Sequence, residues 1–207
     1  MPAATRIAIL TFDGFNEIDS FVALGLLGRL RTQGFAPELC GPGTMATSMN
    51  GVQVQIQRPL EWANEAEVVL FGSGLYTRAI AENSALLDRL QLDPVKQLIG
   101  AQCSGALLLA RLGLLGSSPA CTDSVSKPFL IQAGVRVLDE EAFHAQGPVA
   151  TAGGCLAAQY LAAWVMYVKA GETAAREALW RSAPVGEQAA YVERLLGKVR
   201  RFGPASA

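Results

Sequence analysis

The chain is short of histidine and of charge. It has one histidine, His144, and Asp, Glu, Lys and Arg make up only 17% of its 207 residues. A single imidazole argues against a zinc site, and no metal is expected. Seventeen basic and eighteen acidic side chains give a formal charge of −1. That balance gives no reason to expect nucleic acid or an anionic membrane as a partner. The four cysteines, Cys40, Cys103, Cys121 and Cys155, are widely spaced and form no CxxC pair. They read as free thiols rather than a disulfide framework. Long hydrophobic runs are also missing: none reaches the ~18 residues of a membrane span, and Tyr160 to Val168 reads as a buried helix. Met1 to Arg6 shows no export signal, so the expected location is the cytoplasm.

Apolar residues are plentiful, at 51%, which excludes a disordered chain. The length fits one α/β domain over residues 1–207. The surplus of apolar residues over charge points to a covered face, a homodimer interface. Short continuous apolar runs, Arg6 to Phe12 and Glu67 to Phe71, suit parallel strands buried on both faces. Ala36 to Gly41 reads as another strand. Asn50-Gly51 signals a tight hairpin turn, and Val52 to Ile56 alternates as a half-exposed antiparallel strand. Arg136 to Leu138 and Val149 to Thr151 read as short strands around a polar loop that holds His144. Helices are expected over Phe21 to Leu30, Thr77 to Asn83, Ser84 to Leu92, from Ala106 to a close near Gly113 to Gly116, and over Ser126 to Ala133. Further helices are expected over Cys155 to Ala170, Glu172 to Trp180 and Glu187 to Arg201. Strands alternating with helices predict a mostly parallel sheet covered on both faces, with its site beyond the strand C-terminal ends.

The stretch Ile99-Gly100-Ala101-Gln102-Cys103-Ser104-Gly105 joins a strand to a helix. Two readings of Cys103 stand. A sharp turn can lift its sulfur to a helix start, where the dipole favours an anion and lowers the thiol pKa; this is a nucleophile elbow in sulfur. Alternatively it is an inert core cysteine. Cys121 reads as a core residue, with pocket lining as the alternative; Cys155 reads as core packing, with a reactive thiol at a helix start as the alternative; Glu17 is expected to be solvated.

These residues resemble the ThiJ/PfpI family of the class I glutamine-amidotransferase-like superfamily. The resemblance rests on Ala101-x-Cys103-Ser104-Gly105, on Asp19 seven residues after Phe12, on Gly72-Ser73-Gly74 after a strand, and on the Thr151 to Gly154 turn before a long helix. It covers a core of about residues 5–170, leaving C-terminal helices over 171–207. It implies a flavodoxin-like three-layer sandwich and a homodimer. It also implies Cys103 as nucleophile, Asp19 as its carboxyl partner, and a backbone N–H cradle near Gly74 and Ser104. Gly72, Ser73, Asp123 and Gly153 are expected to line the pocket. The aspartate at position 19 is closest to the isocyanide hydratase branch, which implies a cofactor-free hydratase or lyase acting on a small electrophile. The departure is Asp123, which stands where many members carry histidine, and it argues against a protease or amidase. The alternative is a thiol redox or small-ligand sensor using the same cysteine.

Overall fold

The computed structural model describes residues 4–203, so the reading of Met1 to Ala3 lies outside the described residues. Its centre is a seven-stranded sheet in the order β5-β2-β1-β6-β7-β9-β8. The strands are β1 (Thr5–Leu10), β2 (Phe35–Gly41), β5 (Arg58–Pro59), β6 (Val68–Phe71), β7 (Leu98–Gln102), β8 (Phe143–Gln146) and β9 (Val149–Ala152). All pairings in this sheet are parallel except β8 with β9. A separate hairpin pairs β3 (Met45–Thr47) with β4 (Gln53–Gln55). Gly51 in its loop has φ 86°, the left-handed backbone that the Asn-Gly signal requires.

Period-two alternation in β1 sends Ile7 and Ile9 to one face and Ala8 and Leu10 to the other. The first face is covered by α1 (Glu17–Leu27), α6 (Ala158–Trp180) and α7 (Gln188–Val199). The second packs on α2 (Thr77–Glu82), α3 (Ser84–Leu87), α4 (Ala106–Arg111) and α5 (Lys127–Gln132). This is the mostly parallel, doubly covered sheet that the sequence pattern predicts, and the flavodoxin-like sandwich that the resemblance implies. Gly171 interrupts α6 with φ 81°, which accounts for the two successive helices read there.

Three local readings need correction. α1 begins at Glu17 rather than Phe21, because the Asn16 side chain caps it by accepting from Ile18 N–H at 3.0 Å. Arg136 to Leu138 forms no strand; Val137 makes one isolated bridge with Ala120. The supposed polar loop contains β8, where His144 pairs with Thr151 and packs edge-on against Phe202, centroids 5.2 Å apart.

The crossovers after β1 and β6 run to opposite faces, so the two strand ends open a crevice. β7 ends beside it, and Gly105 allows close approach there. A Cβ on Gly105 would stand 2.6 Å from Gly72 O and 2.9 Å from Phe71 O. Both obstacles are backbone and cannot rotate away. Gly105→Ala is therefore expected to cost about 1–3 kcal/mol. Thermal denaturation should show Tm lowered by at least about 2 °C; an unchanged Tm would contradict this packing.

Candidate active site

Cys103 is the one non-glycine residue with positive φ among the described residues, at 47°. The strand ends at Gln102, one tight helical turn spans Cys103–Gly105, and α4 follows. Such a backbone costs about 1–3 kcal/mol and persists only when its surroundings hold it. Thr122 Oγ1 donates to Cys103 O at 2.9 Å. Ser104 Oγ lies 2.9 Å from Thr77 Oγ1. The elbow geometry read from the sequence is present.

Asp19 lies in the first turn of α1, 3% exposed. Its Oδ2 accepts from Ser73 N–H at 3.1 Å. Its Oδ1 is buried with no hydrogen-bond partner. Burial pushes its pKa up to about 6, against the lowering effect of the Ser73 hydrogen bond, with Asp123 adding repulsion. An Asp19 carboxylate oxygen, Cys103 Sγ and Cys155 Sγ all lie within 4.8 Å of one another. The site thus brings together the predicted acid and sulfur, together with a second sulfur.

The thiol itself departs from expectation. Cys103 is 3% exposed, and burial holds its pKa far above the ordinary range. Asp19, Cys155 and Asp123 add to the rise in that order. The helix start behind it is too short to reverse this: α4 has six residues. Sulfur and carboxyl therefore compete for one negative charge in a dry site. A protonated Asp19 leaves Oδ1 uncharged, the form in which a buried oxygen without a partner costs least.

The remaining predicted residues have mixed placements. Ser73 and Gly72 sit at the end of β6, Ser73 holding Asp19 and also accepting from Asn16 N–H at 2.8 Å. Gly74 N–H is not aimed at the sulfur: it donates to Thr77 Oγ1 at 3.1 Å and to Ser104 Oγ at 3.4 Å. To act as the expected oxyanion donor it would have to give up these hydroxyl partners. Gly153 gives room to the Cys121–Asp123 loop, since a Cβ there would lie 2.6 Å from Thr122 O. Asp123 Oδ1 accepts from Val125 and Ser126 N–H, both at 2.9 Å. It orders its own loop and acts on the sulfur only through its charge. Glu17 is not free in solvent; it accepts from Ser48 Oγ and from Asn50 Nδ2, tying α1 to the β3–β4 hairpin.

Two further residues belong to the site, and their contacts escape a reading of the sequence. Cys155 Sγ is 3.9 Å from Cys103 Sγ, and Asn16 Nδ2 donates to Cys155 Sγ at 3.0 Å. The available signal is the rule that sites gather at strand ends, because Cys155 follows β9 as Cys103 follows β7. The cluster of Asp19, Cys103 and Cys155 offers one oxygen and two sulfurs to a metal; His144 takes no part in it.

A parallel sheet ending in a cysteine elbow beside a buried acid defines the class. No family model matches the sequence, and no curated protein matches it. Solved structures do. A ThiJ/PfpI family protein from Pseudomonas syringae superposes with TM-score 0.76 at 19% identity, over 96% of this chain and 89% of that one. Drosophila melanogaster DJ-1beta gives TM-score 0.74 at 22% identity, over 84% and 95%. An oxidised DJ-1 from Toxoplasma gondii gives 0.70 at 17%, over 86% and 98%. The chain has the fold of the DJ-1 and ThiJ/PfpI proteins, the group its motifs resemble.

The raised Asp19 pKa has a stability consequence. Below the unfolded value, near 3.8, the carboxyl is protonated in both states and its burial is tolerated. As pH rises through about 6, the unfolded chain ionises first, and the fold loses up to about 3 kcal/mol. Asp19→Asn removes this dependence. Its Tm advantage over the natural protein should be smallest near pH 4 and largest at pH 7–8, measured by calorimetry. A pH-independent difference would contradict a raised Asp19.

Proposed function

We propose that the protein is a cofactor-free, cysteine-dependent enzyme of the ThiJ/PfpI type, a hydratase acting on a small electrophile such as an isocyanide. The observation that carries the reading is a buried carboxyl and an elbow sulfur facing each other with no imidazole between them. The reaction needs a nucleophile, a proton for carbon, and water. Sulfur of Cys103 attacks the terminal carbon of R–NC while Asp19 accepts the thiol proton. The carboxylic acid then returns that proton to the same carbon, giving a thioimidate. Water adds to this carbon, the C–S bond breaks, nitrogen takes a proton, and an N-substituted formamide leaves. Backbone N–H of Ser104, in the first turn after the elbow, is the donor left to support charge developing at the substrate.

Asp19 suits this work because its pKa of about 6 lies close to a neutral working pH, so it both takes and gives a proton. A Cys–His protease or amidase fits poorly, because Asp123 at the expected imidazole position is engaged by its own loop. A thiol redox or ligand sensor is the second reading, favoured by the Cys103–Cys155 contact.

Among the described residues no helix is long and apolar enough to cross a membrane; the reading sets the protein in the cytoplasm, with no nucleic-acid or membrane partner. It also makes the protein a homodimer. Ile18, Phe21, Met45, Met49, Val52 and Leu156 are exposed apolar side chains on α1, on the hairpin and after β9. A second copy covering them would also roof the crevice beside Asp19.

With an aryl or alkyl isocyanide, the expected product is the formamide, followed by mass spectrometry. Cys103→Ala should abolish turnover, and Asp19→Ala should reduce it by about 10²–10⁴-fold while Cys103 remains open to alkylation. No turnover of any isocyanide by the natural protein would reject the hydratase reading. Met49→Glu should convert the dimer to a monomer in light scattering coupled to gel filtration; a natural protein that is already monomeric would reject the dimer.

A further inference from the structure

Cys155 has no part in the hydration just described, yet it is held against the reacting sulfur. Gln102, the residue before Cys103, donates through Nε2 to Gly154 O at 2.7 Å and to Cys155 O at 3.3 Å. Asn16, the cap of α1, donates to the Cys155 sulfur itself. The Cys103 thiol donates to the same sulfur across 3.9 Å. Register explains the meeting: Gln102 of β7 pairs with Ala152 of β9, so both chains leave the sheet side by side. Cys155 is partly exposed, whereas Cys40 and Cys121 are buried, and burial pushes both of those thiols up to about 12.

We propose that Cys155 is a resolving thiol, and that Cys103 and Cys155 form a reversible disulfide couple that reduces small peroxides. The proposal rests on Cys103 being the reactive sulfur. In the first step the sulfur attacks one peroxide oxygen and the O–O bond breaks. Asp19 relays the thiol proton to the departing oxygen, leaving Cys103 as the sulfenic acid and releasing water or an alcohol. In the second step Cys155 sulfur attacks Cys103 sulfur, the S–O bond breaks, and hydroxide leaves as water with the Cys155 proton. Peroxide gains two electrons and the two thiols lose them. A disulfide is about 2.05 Å long, so the sulfurs must close from the 3.9 Å contact. Cys155 is the better placed to move: it is partly exposed and begins a short helical turn after Gly154, whereas Cys103 sits in the strained elbow. Its oxidation state would also gate hydration, since the disulfide removes the nucleophile.

The test treats the natural protein with one to two equivalents of hydrogen peroxide and reads intact mass and cross-linked peptides. The expected result is a loss of about 2 Da, a Cys103–Cys155 peptide, and a fall from four free thiols to two, all reversed by dithiothreitol. In Cys155→Ser and Cys155→Ala, Cys103 should instead gain one or two oxygens. If the natural protein gains oxygens on Cys103 while Cys155 stays free, or cross-links to Cys40 or Cys121, the proposal is overturned and Cys103 remains reactive. If Cys103 is inert to both peroxide and iodoacetamide, the reading of the active site falls with it. The natural protein decides between these outcomes even if a variant does not fold.

Discussion

One negative charge in a dry crevice is the constraint on which the site depends. Asp19 and Cys103 each resist ionisation because burial removes water, and an ionised Asp19 raises the cost of a Cys103 thiolate further. Two charges are too costly there, and Asp19, raised to about 6, gives up its proton before the thiol does. The pair in the neutral range therefore holds one charge and one mobile proton. That state is what acid–base work at sulfur requires, and it arises without histidine. The unpartnered Asp19 Oδ1 belongs to the same arrangement, since Ser73 satisfies only one side of the carboxyl.

The rest of the fold serves to hold two awkward groups against each other. Cys103 needs a strained backbone and Asp19 needs a buried helix start. Both are held by the ends of neighbouring strands. Ser73 after β6 accepts from the capping residue Asn16 and donates to Asp19, so the start of α1 is bolted to the sheet. Thr122 and the Ser104–Thr77 contact fix the elbow from the other side. Glycines at 105 and 153 bring backbone close enough for these bonds to form. Hydrophobic packing of the two sheet faces makes the frame, and a small set of polar contacts sets the sulfur and the carboxyl within it.

What can be read from the sequence divides along physical lines. Continuous apolar runs over β1, β6 and β7, and the small residues around Cys103, are local signals, and they point to the sheet and the elbow. Asp19 is found through the resemblance of its spacing from Phe12. The edge strand β8 is hidden because Phe143, His144, Ala145 and Gln146 alternate over only four residues inside a polar surround. The early start of α1 is hidden because its capping residue lies among polar residues that also read as a turn. The direction of the thiol's pKa escapes for a different reason. A helix start favours a thiolate locally, but desolvation and facing acids come from distant segments and outweigh it. The contact of Cys155 with Cys103 escapes on the same ground, because it exists only through the β7–β9 pairing.

That pairing also bears on how the two proposed chemistries would share one sulfur. Hydration and peroxide reduction both begin with sulfur attack on a small electrophile, and both need a carboxylate to take the thiol proton. They differ in the second step. A thioimidate carbon offers Cys155 no oxidised sulfur to attack and must wait for water, whereas a sulfenic acid presents an electrophilic sulfur within the neighbouring thiol's reach. In the proposed scheme the second sulfur is therefore a bystander to one reaction and the terminating step of the other. The same geometry suits small electrophiles in both, because the residue of the proposed reacting sulfur is only 3% exposed. Selection between the two falls to the electrophile, and Asp19 need not change its role.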